Sequence, residues 1–177
     1  YIHLMTYVMV GLILVGPEIV KILASTAYWE GIIIIPPVVL ANYLIFLYTL
    51  YVNVEHFHKK TIYITINTVI AAVTNIVLNF LFIPRYGYVA AAYTTLISYA
   101  VVLILHSGYA KKLDKKIYPI STMLPSLIHV LLATIVFYCC IDICWLRWSI
   151  AVGYIVAMFL INSKRLIELL STRRKRS

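Results

Sequence analysis

The sequence predicts an all-α protein, a polytopic membrane helix bundle with six transmembrane helices. Apolar residues make up 63% of the 177-residue chain and charged residues 12%, against about 45–50% and about 25% in soluble proteins. The apolar residues form six long runs, and a membrane-spanning helix needs about 20 such residues. Lys and Arg concentrate in alternate connections between the runs. This pattern excludes a soluble enzyme or a nucleic-acid-binding domain, despite the net charge of +9.

The first run, residues 1–16, reaches only about 24 Å as a helix, short of the ~30 Å hydrocarbon core. We therefore expect a helix that begins upstream, and a chain that is the C-terminal portion of a longer protein. Pro17 then opens an amphipathic stretch, residues 17–29, which is predicted to lie in the membrane interface as a short helix. Within it, Glu18 and Lys21 are expected to form a screened surface pair.

The second, third and fourth spans follow closely on one another. Residues 31–52 form the second span, and Pro36-Pro37 near its start predicts a kink there. The third span covers residues 61–82 and the fourth residues 88–107. Only five residues join these two spans, so they are expected to form an antiparallel hairpin.

The last two spans form a predicted C-terminal hairpin, residues 122–162, made of residues 122–141 and 145–162. Because their connection is very short, we expect the two helices to pack side by side. A basic loop, residues 108–121, precedes this hairpin, and a basic tail, residues 163–177, follows it.

The distribution of Lys and Arg orients the spans. The connections after the second and fourth spans hold two and four of the fifteen basic residues, and the tail holds six. The opposite side holds three: Lys21, Arg85 and Arg147. Cytoplasmic segments of membrane proteins carry the excess of Lys and Arg. The Lys-rich side and the C-terminus are therefore predicted to be cytoplasmic, with the tail in contact with anionic membrane lipids and no nucleic-acid partner.

Small and polar residues share one face on each of the third and fourth spans. On the third span they are Asn67, Ala71, Thr74, Asn75, Leu78 and Asn79, and on the fourth they are Ala91, Thr94, Thr95 and Ser98. Such residues let helices approach closely and hydrogen-bond across the contact, so packing explains most of the pattern. The alternative is an oxygen-lined site that faces a cation or a substrate. Its candidate residues are Asn75, Asn79, Thr94 and Thr95.

His129 lies in the middle of the fifth span. An ionisable group inside the membrane is costly and indicates function by default, so His129 is a fifth candidate, with a hydrogen-bonded packing role as the alternative. His106 is expected to face the interface, and His56 and His58 to lie in a solvated loop. The sequence contains no recognisable catalytic or metal site, and we expect the protein not to be an enzyme.

The segment from Thr74 to Tyr99 reads TNIVLNFLFIPRYGYVAAAYTTLISY. It combines an Asn-containing helix, the sequence Ile-Pro-Arg-Tyr-Gly, and small residues that open the next helix. In this it resembles the polysaccharide and oligosaccharide flippases of the multidrug/oligosaccharidyl-lipid/polysaccharide exporter superfamily. Two departures are mild: Ala90 stands where the family usually has Gly, and Thr94 where it often has Ala.

The resemblance implies that the six spans are the ninth to fourteenth helices of a 12–14-helix, two-lobe transporter. Residues 1–107 then belong to the C-lobe, and the missing N-terminal lobe of the same chain is their partner. The implied function is to move a polyprenyl-linked oligosaccharide, such as a polysaccharide or O-antigen repeat unit, across the inner (cytoplasmic) membrane by alternating access. No cofactor is implied, and whether H⁺ or Na⁺ is the coupling ion stays open. The hairpin 122–162 is expected to hold the polyprenyl tail in a groove.

Two other functions stay open. One is a membrane-embedded enzyme of surface-polysaccharide synthesis, a polymerase or an acyltransferase. Such an enzyme needs an acid/base constellation, whereas the outer connections hold only Glu18, Glu30 and Asp142 as acids. The other is a drug exporter of the same superfamily. The Ile-Pro-Arg-Tyr-Gly sequence and the extra helix pair favour the polysaccharide branch.

The charge distribution gives a direct test of orientation. Lys115→Cys, in a protein whose three native cysteines are replaced, should react with a membrane-impermeant maleimide only after the cells are opened, since cytoplasmic loops carry the positive charge. Tyr86→Cys, in the connection on the opposite side, is the matched control and should react in intact cells. Labelling of Lys115→Cys from outside would contradict the six-span arrangement.

Overall fold

The computed structural model describes the backbone of residues 1–115, 117 and 120–174, and the side chains of the same residues except 120, 121, 162 and 164–174. The described part contains helices and turns and no strand. The elements are α1 (Ile2–Leu23), a 3₁₀ helix (Thr26–Ile34), α2 (Ile35–Phe57), α3 (Thr61–Leu113), α4 (Ile120–Cys139) and α5 (Cys144–Arg174). The all-α fold class is therefore confirmed.

Five helical stretches in the described part of the chain are long and apolar enough to cross a membrane. They are Ile2–Leu23, Thr26–Phe57, Thr61–Leu113, Thr122–Cys139 and Cys144–Ile161. Their outward surfaces are apolar: Phe80, Ile104 and Phe159, for example, are exposed. Large exposed apolar surfaces are untenable in water, so the protein is embedded in a membrane.

The helix α1 does not end at Pro17, as the sequence suggested. It continues through this residue to Leu23, and the segment that follows is the 3₁₀ helix rather than part of an interfacial α-helix over residues 17–29. Proline removes one backbone hydrogen bond, and here the packing of the helix compensates. Both Gly16 and Pro17 are buried, and a Cβ on Gly16 would lie 3.1 Å from the Ile35 side chain, so α1 passes very close to the start of α2.

The two prolines of the second span begin a helix rather than kink one. The helix α2 starts at Ile35, and Pro36 and Pro37 occupy its first turn. The first backbone N–H groups of a helix have no partner within it, so prolines there remove nothing that the helix needs. The expected kink is replaced by a change from the 3₁₀ helix to α2.

The helix α3 consists of two arms that meet at Gly87, a first arm over 61–86 and a second arm over 88–113. Gly87 has φ 63° and ψ −152°, a backbone conformation that essentially only glycine adopts. The arms contact each other along their length: the rings of Tyr63 and Tyr109 are 4.0 Å apart, and Asn79 is hydrogen-bonded to Thr94. The contact nearer to Gly87 joins residues that are closer in sequence, 79 with 94, and the farther contact joins 63 with 109. The arms are therefore antiparallel, as predicted for this hairpin.

The helix α1 lies at the centre of the packing. It contacts α2, α4 and α5, while α2 packs mainly along α3. Buried side chains of α1, α2 and α4 form one continuous apolar core, which includes Val10, Ile13, Leu14, Leu44, Leu47, Val130 and Phe137. Among the described residues α4 and α5 make few close backbone contacts with each other. Both helices pack on α1, and they also contact each other where the rings of His129 on α4 and Tyr154 on α5 lie 5.7 Å apart.

The conformation of Gly87 predicts the cost of a methyl group at this position. Gly87→Ala should lower the free energy of unfolding by about 1–3 kcal/mol, since backbone conformations of this kind cost that much for other residues. The cost is conformational, because a Cβ there would meet no atom within 4 Å. Thermal unfolding in detergent measures it. Gly108→Ala is the matched control: this glycine is helical and exposed, and alanine there should leave stability equal or slightly higher.

Candidate functional site

A pocket of about 430 Å³ opens between α2 and the two arms of α3. Its lining combines small, hydroxyl-bearing and aromatic side chains: Tyr48, Thr68, Ala71, Ala72, Asn75, Thr95, Ser98, Tyr99 and Val102. The small residues of the first arm keep the helices close enough to share this wall. We refer to it as the hairpin pocket.

Two side-chain hydrogen bonds at Asn79 lie at one end of the small and polar face, and one of them joins the two arms. The Asn79 side-chain amide donates to Asn75 Oδ1 at 2.9 Å, and Asn79 Oδ1 accepts a short hydrogen bond from the Thr94 hydroxyl. Thr94 is 2% exposed. Two of the predicted site residues, Asn79 and Thr94, therefore join the arms and do not line the pocket. For them the packing interpretation describes what the structure shows.

The other two candidates for the oxygen-lined site, Asn75 and Thr95, do line the hairpin pocket. Asn75 connects both roles, because its oxygen also accepts the bond from Asn79. The polar groups of the pocket are amide and hydroxyl groups without formal charge. They can donate to and accept from a hydroxyl-rich ligand, whereas hard cations prefer carboxylate oxygens. Within the described residues no group of three His, Cys, Asp or Glu side chains is placed to hold a metal ion.

His129 lies apart from the hairpin pocket. It is half-buried on α4, and its ring meets the ring of Tyr154 on α5 edge-on, with centroids 5.7 Å apart. His129 was predicted as a fifth candidate beside the Asn and Thr residues of α3, and the structure does not bring it close to them.

Glu55 and His106 form a buried pair that the sequence analysis did not identify. Both side chains are 0% exposed, and His106 Nδ1 lies 2.9 Å from each oxygen of the Glu55 carboxyl group. His106 was expected to face the interface, and this is wrong. A signal was present in the sequence: Thr94, Ser98 and His106 are separated by four and then eight residues, and the structure buries them along one face of the second arm.

Tyr48 connects this pair to the hairpin pocket. Its ring stacks on the ring of His106, with centroids 5.7 Å apart, and on the ring of Tyr99, at 6.2 Å. Both tyrosines line the pocket. A displacement of the His106 ring therefore acts directly on the pocket wall.

A second ion pair, partly buried, joins α5 to α1. The Arg147 guanidinium, 1% exposed, lies 2.5 Å from a Glu18 carboxylate oxygen. It also donates to two backbone carbonyl groups, Leu14 O at 2.9 Å and Cys140 O at 3.1 Å. Arg147 thus joins its own helix, α5, to α1 and to the turn after α4. The sequence assigned it only to the count of basic residues on the outer side.

The expected surface pair of Glu18 with Lys21 is not formed. Glu18 instead faces Arg147, and the Lys21 ammonium lies over the ring of Trp29, 5.8 Å from its centroid. A guanidinium binds a carboxylate through two parallel hydrogen bonds, which Lys21 cannot reproduce. That preference explains why the distant Arg147 displaces the near neighbour in sequence.

Comparison with protein-family models, with curated proteins and with solved structures found no match. The resemblance to flippases thus rests on the motif residues from Thr74 to Tyr99.

The Arg147–Glu18 contact predicts a large loss of stability when one partner is removed. Arg147→Met should lower the free energy of unfolding by about 3–5 kcal/mol, because the Glu18 carboxylate is left without its partner in a poorly solvated position. Adding Glu18→Gln should recover much of this loss. Thermal unfolding in detergent measures both effects. Arg85→Met, which alters an exposed arginine, is the control, and an equal loss there would contradict the assigned role.

Proposed function

We propose that the chain is the C-terminal part of a transporter that moves a lipid-linked oligosaccharide across the cytoplasmic membrane by alternating access. The observation that carries the proposal is the segment from Thr74 to Tyr99. It holds the flippase-like motif, and most of it forms the hairpin whose facing surfaces line the hairpin pocket. Four of the nine residues that line the pocket, Asn75, Thr95, Ser98 and Tyr99, thus belong to this segment.

The topology of the proposed transporter uses the break at Gly87. If each arm of α3 crosses the membrane, the described chain supplies six spans, with Gly87 on the outer side and the lysine-rich connections in the cytoplasm. Each arm has 26 residues, about 39 Å of helix, which is enough to cross the hydrocarbon core. In this proposal the remaining lobe of the same protein completes the central cavity.

The chemistry of the hairpin pocket fits the sugar part of such a substrate. Asn75, Thr95 and Ser98 offer neutral hydrogen-bonding groups, and Tyr48 and Tyr99 add aromatic rings. Sugars present hydroxyl groups and apolar C–H faces, which these two kinds of side chain can contact. The pyrophosphate requires cationic partners, and none lines this pocket. We therefore place the pyrophosphate site in the other lobe.

The outer surfaces of α4 and α5 suit contact with lipid chains. Leu131 on α4 is 44% exposed, and Val156 on α5 is 51% exposed. A polyprenyl tail would gain from packing and shape there rather than from hydrophobic transfer, since the bilayer is equally apolar. Because α1 contacts both helices, the groove proposed for the tail lies on the surface of this pair away from α1.

Substitution of the pocket residues tests the proposal. Asn75→Ala and Thr95→Val should each reduce the rate of flipping by about three- to tenfold, the effect of losing one hydrogen bond of about 0.5–1.5 kcal/mol. Folded protein should persist, because interhelical hydrogen bonds in membranes average about 0.6 kcal/mol. The measurement is the amount of lipid-linked oligosaccharide that reaches the outer leaflet, per amount of folded protein.

Thr65→Val and Asn42→Ala are the matched controls, since Thr65 is exposed on the first arm of α3, Asn42 is exposed on α2, and neither lines the pocket. Their flipping should equal that of the unsubstituted protein. Normal flipping by the Asn75→Ala/Asn79→Ala double variant would rule out a role for this face in transport. Export of lipophilic cations in place of lipid-linked sugar would favour the drug exporter.

A further inference from the structure

The Glu55–His106 pair has no role in sugar contact, and its burial calls for an explanation. It joins the last turn of α2 to the second arm of α3, with both side chains fully buried. A buried ion pair adds little net stability, because desolvation offsets the attraction between the charges. Ionisable groups inside membrane proteins more often mark proton and ion pathways.

The charge of the pair depends on a single proton. An imidazolium with a carboxylate, or an imidazole with a carboxylic acid, has no net charge. Loss of that proton leaves one negative charge, and gain of another leaves one positive charge. An uncompensated charge in a fully buried position is very costly, so the packed arrangement of Glu55 and His106 favours the form with no net charge.

The second nitrogen of His106 makes this arrangement easy to disturb. Nε2 is buried and has no hydrogen-bond partner among the residues that the structure describes. A buried polar atom without a partner favours any arrangement that admits water to it. We call the contact between α2 and the second arm around Glu55 and His106 the seam. The neutral pair stabilises the closed seam, and the unpaired Nε2 atom destabilises it.

Other titratable and charged groups surround the pair. Tyr48 stacks on His106, and Tyr109 lies within electrostatic range of Glu55 and stacks on Tyr63. Four lysines belong to the same end of the bundle: Lys59, Lys60, Lys111 and Lys112. Lysines and tyrosines keep their protonation states near neutral pH, whereas histidine changes its charge there.

We propose that Glu55 and His106 form a proton-binding site that closes the seam between α2 and the second arm of α3. Release of the proton leaves a buried negative charge, and the seam opens to hydrate it. Through Tyr48, the opening moves the wall of the hairpin pocket. The proton site itself does not depend on the proposed function. Only the use of this movement, which is to couple transport to a proton gradient, rests on that function.

The sign of the pH dependence follows from the proton count. The closed seam binds the proton more tightly than the open seam, so raising the pH favours opening. Spin labels at Asn53→Cys and Ile104→Cys report this, in a protein whose native cysteines are replaced. Both positions are exposed, and each lies two residues before its member of the pair on two neighbouring helices. The protein is studied as the full chain in lipid nanodiscs without substrate.

Between about pH 5 and about pH 8, where histidine changes its charge, the distance distribution should shift to longer values. In the Glu55→Gln/His106→Gln variant, whose amides can keep a neutral hydrogen bond, the distribution should be the same at both pH values. The matched control is His56→Gln/His58→Gln, which removes two exposed histidines next to the pair in sequence. It should keep the shift.

An unchanged distribution in the protein with both native residues would overturn the proposal, whatever the variants do. A shift that persists in the Glu55→Gln/His106→Gln variant, or that disappears in the His56→Gln/His58→Gln control, would also overturn it. The proposed function is judged separately by flipping. A normal shift without flipping of lipid-linked oligosaccharide would reject that function and keep the proton site, and flipping without a shift would do the reverse.

Discussion

The reversal of the chain at Gly87, held by the hydrogen bond that the Thr94 hydroxyl donates to Asn79 Oδ1, is the interaction on which the hairpin pocket depends. Lipid gives no hydrophobic drive for two apolar helices to associate, so packing of small residues and interhelical hydrogen bonds must do so. Here both occur on the same face. The pocket is the part of that face where α2 lies beside the arms, and there the Tyr48 ring of α2 stacks on the Tyr99 ring of the second arm.

A second constraint organises the rest of the bundle around α1. The helix α1 is both the centre of the apolar core and the acceptor of the Arg147 side chain, through Glu18 and the carbonyl group of Leu14. This contact fixes α5 on α1 from the other end of the chain. The two ion pairs thus join different helices. Arg147–Glu18 joins α5 to α1, and Glu55–His106 joins α2 to the second arm of α3.

The sequence was sufficient for features that depend on local chemistry. Apolar runs located the helices, and the short, glycine-containing connection located the reversal at Gly87. The spacing of Asn75 and Thr95 placed both on the inner face.

Features that depend on contacts between distant elements were not accessible in this way. The partner of Glu55 depends on the register between α2 and the second arm, which no local pattern encodes. The same holds for Arg147, whose partners lie at the opposite end of the chain. The predicted end of α1 at Pro17 was wrong for a related reason. The tendency of proline to break a helix is local, whereas the packing that keeps α1 helical here involves residues distant in sequence.

The antiparallel pairing of the two arms of α3 can be measured directly. In a protein without native cysteines, Tyr63→Cys and Tyr109→Cys should be joined quickly by a short bifunctional thiol reagent, because the two rings are only 4.0 Å apart in the structure. Tyr63→Cys with Tyr86→Cys, at the two ends of the first arm, should stay unlinked. If Tyr63→Cys and Tyr109→Cys do not react while each is labelled singly, the arms are not paired. The hairpin, its pocket and the function proposed for them would then be contradicted.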